Sequence, residues 1–135
     1  MPETVGYAMS RTLDISYEEA DRRVREALQE EGFGVLTEID VKATMKKKLD
    51  VDFQQYEILG ACNPPLAHKA LTHAADIGLL LPCNLVVRDL GGGRTMVSAL
   101  DPVLQLGVAR DEALTPVAQD VRARMERVLD RVSGD

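Results

Sequence analysis

The chain has 135 residues, of which 45% are hydrophobic, 28% are charged and 4% are aromatic, and its formal net charge is −6. This length is typical of one domain, residues 1–135, that buries roughly two-thirds of its unfolded surface without needing a disulfide or a metal. The acidic balance argues against nucleic acid as a partner, because phosphate binding needs an excess of Lys and Arg.

The N-terminal segment M-P-E-T-V-G-Y lacks the basic and apolar regions of a secretory signal. The apolar runs are also far shorter than the roughly 20 residues that span a bilayer, and a negative charge disfavours anionic membrane surfaces. Two cysteines without such a signal indicate free thiols in a reducing compartment. We therefore expect a cytoplasmic protein that binds no membrane.

Alternating apolar residues predict a first strand over residues 4–15. Ser16 and Glu19 match the capping box, in which each side chain satisfies the other residue's backbone N–H at the start of a helix. Apolar residues then recur with helical spacing until Gly32, which is a suitable stop because glycine adopts the left-handed conformation easily.

A second strand is predicted over residues 34–41, and a short helix capped by Asp40 follows it. The last turn of this helix contains the run Lys46 to Lys48, where cations complement the helix dipole. Residues 53–61 have the pattern of a third strand. Asn63 is a suitable helix cap, and Pro64 suits the first helical position that follows it.

Residues 77–81 and 85–90 have strand-like composition, but Pro82 lies between them. Proline donates no ladder hydrogen bond, so this segment is expected at a sheet edge or a bulge.

The glycines at 91–93 predict a turn, and residues 95–100 complete a hairpin. Residues 102–114 show little periodicity and are expected to form a loop, after which Thr115 and Pro116 begin the last helix. The element order β-α-β-α-β-α-β-β-α predicts an α+β domain of two layers, with one mixed or antiparallel sheet packed against helices.

The stretch from Tyr56 to Val87 resembles the family called domain of unknown function 302. The matching segments are Glu38 to Val41, Lys46 to Leu49, Ile58 to Pro64 and Gly78 to Asn84. The resemblance covers roughly residues 5–130 and implies a TATA-binding-protein-like fold, in which a curved, mostly antiparallel sheet is backed by helices. It also implies a homodimer, but it supplies no reaction, substrate or cofactor, and fold alone does not assign function.

The first candidate site contains Cys62, His68 and Cys83. Cys62 ends one predicted strand, Cys83 lies where another apolar run is broken, and His68 falls within the first turns of the predicted helix. Thiolates with an imidazole suit Zn²⁺ or Cu(I), and three protein ligands leave one open coordination position. The alternative is that both cysteines are small buried hydrophobic residues and that His68 lies on a helix surface.

A second hypothesis is a reactive thiol at Cys62, which directly precedes the predicted start of a helix. The positive end of a helix lowers a thiol pKa, and His68 would serve as the base. Asn63 and Asn84 each follow a cysteine. They act either as local caps and turn residues or as two amides that line one ligand cleft.

These patterns favour a homodimeric, non-catalytic protein that binds a small ligand or a metal near Cys62-Asn63 and Cys83-Asn84. The alternatives are a cysteine-dependent enzyme or redox protein that uses Cys62, and a purely structural or interaction domain.

Overall fold

The computed structural model describes residues 5–134, so the start of the first predicted strand at residue 4 lies outside the described residues. The strands are β1 (Ala8–Leu13), β2 (Gly34–Asp40), β3 (Tyr56–Cys62), β4 (Cys83–Gly91) and β5 (Arg94–Leu100). The α-helices are α1 (Tyr17–Glu30), α2 (Val41–Leu49), α3 (Pro64–His73), α4 (Pro102–Gly107) and α5 (Thr115–Ser133). Two 3₁₀ helices cover Ala75–Leu80 and Glu112–Leu114.

The strands form one sheet in the order β1-β5-β4-β3-β2, and every neighbouring pair is antiparallel. Helices α1 and α5 pack against each other and contact the sheet through β1, β2, β4 and β5. The predicted α+β fold of one sheet layered with helices is therefore confirmed. Within residues 5–134, no helix combines the length and the hydropathy needed to cross a bilayer.

The core lies between this sheet and the pair α1 and α5. Alternate strand residues point into it, as do residues spaced three or four apart on the two helices. None of the following side chains is more than 1% exposed: Val24, Leu28, Leu59, Leu85, Val87, Val97, Ala99, Met125 and Leu129. Full burial of one large aliphatic side chain stabilises the fold by about 1.5–3 kcal/mol, so this layer is the main source of stability.

Side-chain caps fix where three of the helices begin. Ser16 caps α1, Asp40 caps α2 and Asn63 caps α3, and each side chain accepts a hydrogen bond from the backbone N–H three residues later, at 3.1, 2.9 and 3.3 Å. The three predicted caps are thus confirmed. The capping box at α1 is only half formed, because the Glu19 carboxylate pairs with Arg22 and Arg23 instead.

The strand predicted over residues 77–81 is wrong, because this segment forms the 3₁₀ helix Ala75–Leu80. A short apolar run looks the same in both structures, and here Ile77 is buried while Leu79 points to solvent. The expectation of an edge strand is also wrong. Pro82, whose peptide bond to Leu81 is cis, lies just before β4, which is the central strand of the sheet.

The loop predicted over residues 102–114 is wrong as well, because it contains α4 and the second 3₁₀ helix. Asp101 caps α4 by accepting a hydrogen bond from the N–H of Val103 at 2.9 Å, and Pro102 occupies the first turn. These are ordinary signals for the start of a helix, and the short length of α4 hid its periodicity.

Gly60 lies where β2, β3 and the segment before β4 come closest together. A Cβ atom at this position would collide with Thr37 Oγ1 and lie 2.7 Å from Pro82 Cγ. The pairing of β2 with β3 shifts register between Val35 and Thr37, next to this contact. The absence of a side chain at Gly60 therefore lets the Pro82 ring rest on the sheet.

We predict that Gly60→Ala lowers the free energy of unfolding by roughly 1–3 kcal/mol, because overpacking forces the rigid proline ring or the strand to move. Urea unfolding followed by circular dichroism measures the change. Gly34→Ala is the matched control on the paired strand, since a Cβ there meets nothing within 4 Å. Equal stabilities of the two variants would contradict the close packing at Gly60.

Glu57 faces the helices from β3, close to Tyr17, Asp21 and Arg25. The Arg25 guanidinium is 3.6 Å from Glu57 Oε2, whereas Glu57 Oε1 is buried without a hydrogen-bond partner among the described residues. Burial, followed by the neighbouring Asp21 carboxylate, raises the pKa of Glu57 to about 8 despite the opposing effect of Arg25. The folded protein therefore keeps a proton that the unfolded chain releases.

This raised pKa predicts a stability that falls as pH rises. The stabilising contribution is complete below the ordinary glutamate pKa of 4.5 and is lost as the pH passes through about 8. We expect Glu57→Gln, which stays neutral, to gain on the order of 1–2 kcal/mol relative to the natural protein between about pH 5 and pH 9, after allowing for solvent screening.

Urea unfolding across this pH range measures the effect, and Glu30→Gln, which removes an exposed carboxylate at the end of α1, is the control. A Glu57→Gln curve that runs parallel to that of the natural protein would disprove the assignment.

Candidate functional site

A small cavity lies between the start of α3, the end of β3 and the start of β4. Its free volume of about 30 Å³ has room for an ion or one to two water-sized molecules. The lining is mostly aliphatic and consists of Phe33, Ala61, Cys62, Asn63, Leu66, Ala67, Ala70, Leu81, Pro82, Cys83, Leu106, Val117 and Val121.

Both cysteines of the chain line this cavity, and both are free thiols. The antiparallel register pairs Cys83 on β4 with Ala61 on β3, which places Cys83 beside the residue that precedes Cys62. Cys83 is buried and Cys62 is partly exposed. The sheet therefore brings together two residues that are 21 positions apart in the sequence.

Neither thiol is activated. Burial raises the pKa of Cys62. Burial, followed by the nearby Cys62, raises the pKa of Cys83 to about 11, and a hydrogen bond with Gln105 lowers it only partly. The expectation that the start of α3 lowers the pKa of Cys62 is wrong, because burial in the apolar cavity penalises the thiolate.

His68 lies away from the two thiols. It is exposed on α3 and is not among the residues that line the cavity. Leu66 and Ala70 form the buried side of α3, and a residue two positions after Leu66 is turned by about 200° from it. Across residues 5–134 no group of three His, Cys, Asp or Glu side chains is arranged to hold a metal ion.

The two asparagines lie on different sides of the sheet. Asn63 is buried at the cavity, where its Oδ1 caps α3 and its Nδ2 approaches the carbonyl oxygen of Glu31 at 3.5 Å. Asn84 is exposed and lines a groove on the sheet face opposite α1 and α5. The hypothesis that both amides line one cleft is therefore wrong.

Gln105 on α4 is a buried polar residue that the sequence reasoning missed. Its Nε2 donates to the carbonyl oxygen of Leu80 and, at 3.1 Å, to that of Pro82. Its Oε1 is buried without a hydrogen-bond partner of ordinary geometry among the described residues. The Gln105 side chain thus fixes the backbone of the segment before Cys83. In the sequence, the pair Asp101-Pro102 indicates the start of a helix at α4, but no signal marks Gln105 itself.

An ion-pair cluster of Glu31 with two half-exposed arginines lies beside the cavity. The Glu31 side chain is 7% exposed and accepts hydrogen bonds from Arg127 Nε at 2.9 Å and Arg131 Nε at 3.1 Å. Arg124 donates to the Glu31 carbonyl oxygen at 3.3 Å. Burial acts to raise the pKa of Glu31, but the bonds from Arg127 and Arg131 outweigh it and lower that pKa. The cluster fastens the end of α1 to α5.

Known proteins resemble this chain over almost its whole length. The family model described as "Domain of unknown function DUF302" matches residues 9–132. The crystal structure of an uncharacterized conserved DUF302 protein from Bacillus stearothermophilus superposes with a TM-score of 0.86 at 32% identity, covering 95% of this chain and 99% of that one. No curated protein matches. On this evidence the chain belongs to the DUF302 family.

Proposed function

We propose that this protein is a non-catalytic binding protein whose Cys62–Cys83 cavity holds a small, soft ligand, and that this ligand is a monovalent soft metal ion such as Cu(I). The observation that carries the proposal is the convergence of two free thiols on one cavity of ion size. Thiolate ligands select soft metals, and Cu(I) accepts two of them as a complete ligand set.

Zinc fits this cavity less well than Cu(I). A zinc site needs three or four protein ligands, and His68 lies on the exposed side of α3. Thiol catalysis is also the weaker alternative, because a nucleophilic cysteine requires a lowered pKa and both thiols here have raised ones.

Binding at this pair of thiols is linked to protons. A metal ion displaces the thiol protons, so its apparent affinity rises with pH for as long as the thiols remain protonated in the free protein. Because the pKa of Cys83 is raised to about 11, this rise extends over the whole physiological range. The mostly apolar lining also shields the bound ion from water.

We expect anaerobic titration with Cu(I), in competition with a chromophoric chelator, to show one ion per chain. Cys62→Ser and Cys83→Ser should each weaken binding by about a hundredfold or more, because each removes half of the ligand set. The affinity of the natural protein should rise by up to about a hundredfold per pH unit, as expected for release of two protons.

His68→Gln is the matched control and should bind Cu(I) as the natural protein does, since the imidazole lies outside the cavity. Undiminished binding by either serine variant, with both variants folded by circular dichroism, would rule out the thiol pair. An equal loss in His68→Gln would place the metal elsewhere.

We also propose that the protein is cytoplasmic, in keeping with the acidic chain and its free thiols, and that it forms a homodimer. An apolar patch of Leu79, Leu104 and Val108 supports self-association. Leu79 is 86% exposed, Leu104 48% and Val108 68%, and all three line the same surface depression beside α4. A patch of large exposed aliphatic residues marks an interaction site, and a second copy matches its apolar character in a closed two-fold dimer.

Leu79→Asp is therefore expected to shift the protein from dimer to monomer in sedimentation velocity, because it places a charge in the apolar contact. Leu49→Asp is the control, since Leu49 is 66% exposed but lies on α2. A monomeric natural protein, or the same dimer in both variants, would contradict this assignment of the dimer surface.

A further inference from the structure

We propose a second binding site, on the face of the sheet that α1 and α5 leave uncovered, for a small organic acid with an apolar body. Arg88 would bind the carboxylate of this ligand, and the neighbouring strand residues would contact its body. The site lies across the sheet from the thiol cavity and does not depend on the function proposed for that cavity.

Strand alternation defines this face. Leu85 and Val87 of β4 point into the core, so Asn84, Val86 and Arg88 point to the opposite side. Residues that pair across strands lie on the same face of the sheet. Ser98 pairs with both Val86 and Ser10, so these three residues share the open face. The resulting groove encloses about 270 Å³ and is lined by side chains from β1, β3, β4 and β5.

The composition of the face differs from that of a simply solvated sheet surface. An antiparallel sheet with one face in water usually carries polar residues on that face. Here Val86 lines the groove, and the register of β4, β3 and β2 aligns it with Ile58 and Ile39, which extend the apolar surface beyond the groove. Such a row favours a ligand with an apolar body.

Arg88 is the charged residue of this groove, and it is available for an anion. Among the described residues that line the groove, the ionisable side chains are Arg88 and two tyrosines, and Arg88 is the one that is charged at neutral pH. Its Nη2 lies 3.0 Å from Met96 Sδ, which is a weak acceptor. Across residues 5–134, Arg88 and Arg110 are the two arginines that form no ion pair with a carboxylate.

The guanidinium of Arg88 is also held in place. Met96, which Arg88 contacts, is only 2% exposed although it lies outside the main core. Packing against this buried thioether limits the rotamers of Arg88, so a ligand loses less conformational entropy when it binds. A fixed guanidinium presents paired N–H donors that match a carboxylate.

The remaining lining defines the rest of the ligand. Tyr7 and Tyr56 contribute aromatic rings, and Val86 and Leu100 contribute aliphatic surface. The Ser10 and Ser98 hydroxyls, 2.9 Å apart, form the polar floor between the strands. One cation in the groove of an acidic chain suits a monocarboxylate and disfavours a polyphosphate.

Titration with phenylacetate, followed by two-dimensional NMR of the ¹⁵N-labelled protein, tests the proposal. We expect saturable shifts of the amides of Val86, Arg88 and Ser98 with a Kd below about 10 mM. Phenylacetamide, the neutral analogue, should bind at least about tenfold more weakly, because it lacks the charge that Arg88 recognises.

Arg88→Gln should lose at least about tenfold in affinity for phenylacetate, while Arg88→Lys should retain part of it through its charge. Arg110→Gln is the matched control, since it removes the other arginine without an ion pair and should leave binding unchanged. Unaltered binding by a folded Arg88→Gln, shifts that map to other residues, or no saturation up to about 10 mM would each overturn the proposal.

Binding of phenylacetate by Cys62→Ser is expected to equal that of the natural protein, so failure of the metal site and failure of this site are distinguishable.

Discussion

The hydrogen bonds and ion pairs that converge on Glu31 position the wall of the thiol cavity. The bonds that its two carboxylate oxygens accept from the half-exposed Arg127 and Arg131 fasten α5 to the end of α1, in addition to the apolar packing between these helices. The carbonyl oxygen of Glu31 also receives the side chains of Arg124 and Asn63. Because Asn63 caps α3, one residue links the end of α1, the start of α3 and the middle of α5 around the wall of the cavity.

The second constraint is that residues 82–84 contribute side chains to both faces of the sheet. Gly60 has no side chain, so the Pro82 ring rests on the open face while the next residue, Cys83, turns toward the helices. Asn84 then returns to the open face, at the edge of the groove that contains Arg88. The period of two along a strand thereby gives the protein two separate surfaces with different chemistry, a soft apolar cavity and a groove with one cation.

Local signals in the sequence were sufficient for the fold class and insufficient for the site. Caps such as Ser16 and Asn63 act on backbone groups three residues away, so the sequence itself contains the complete interaction. The pairing of Arg131 with Glu31 spans 100 positions, and the same arginines are equally well explained by the helix dipole. The prediction of His68 as a metal ligand failed for a related reason, since its distance from Cys62 in sequence does not determine which side of α3 faces the sheet.

The two cysteine motifs separate into residues that the fold requires and residues that it does not. Gly60 avoids a collision, Asn63 caps a helix, Pro64 occupies the first helical turn, and Pro82 packs on Gly60. At the two cysteine positions the packing calls for a small apolar side chain, which a free cysteine supplies without any use of its thiol chemistry. The fold therefore accounts for Gly60, Asn63, Pro64 and Pro82 in the two motifs, and it sets no requirement for the sulfur atoms. Both cysteines line one cavity, and this shared position is the reason for proposing a soft ligand there.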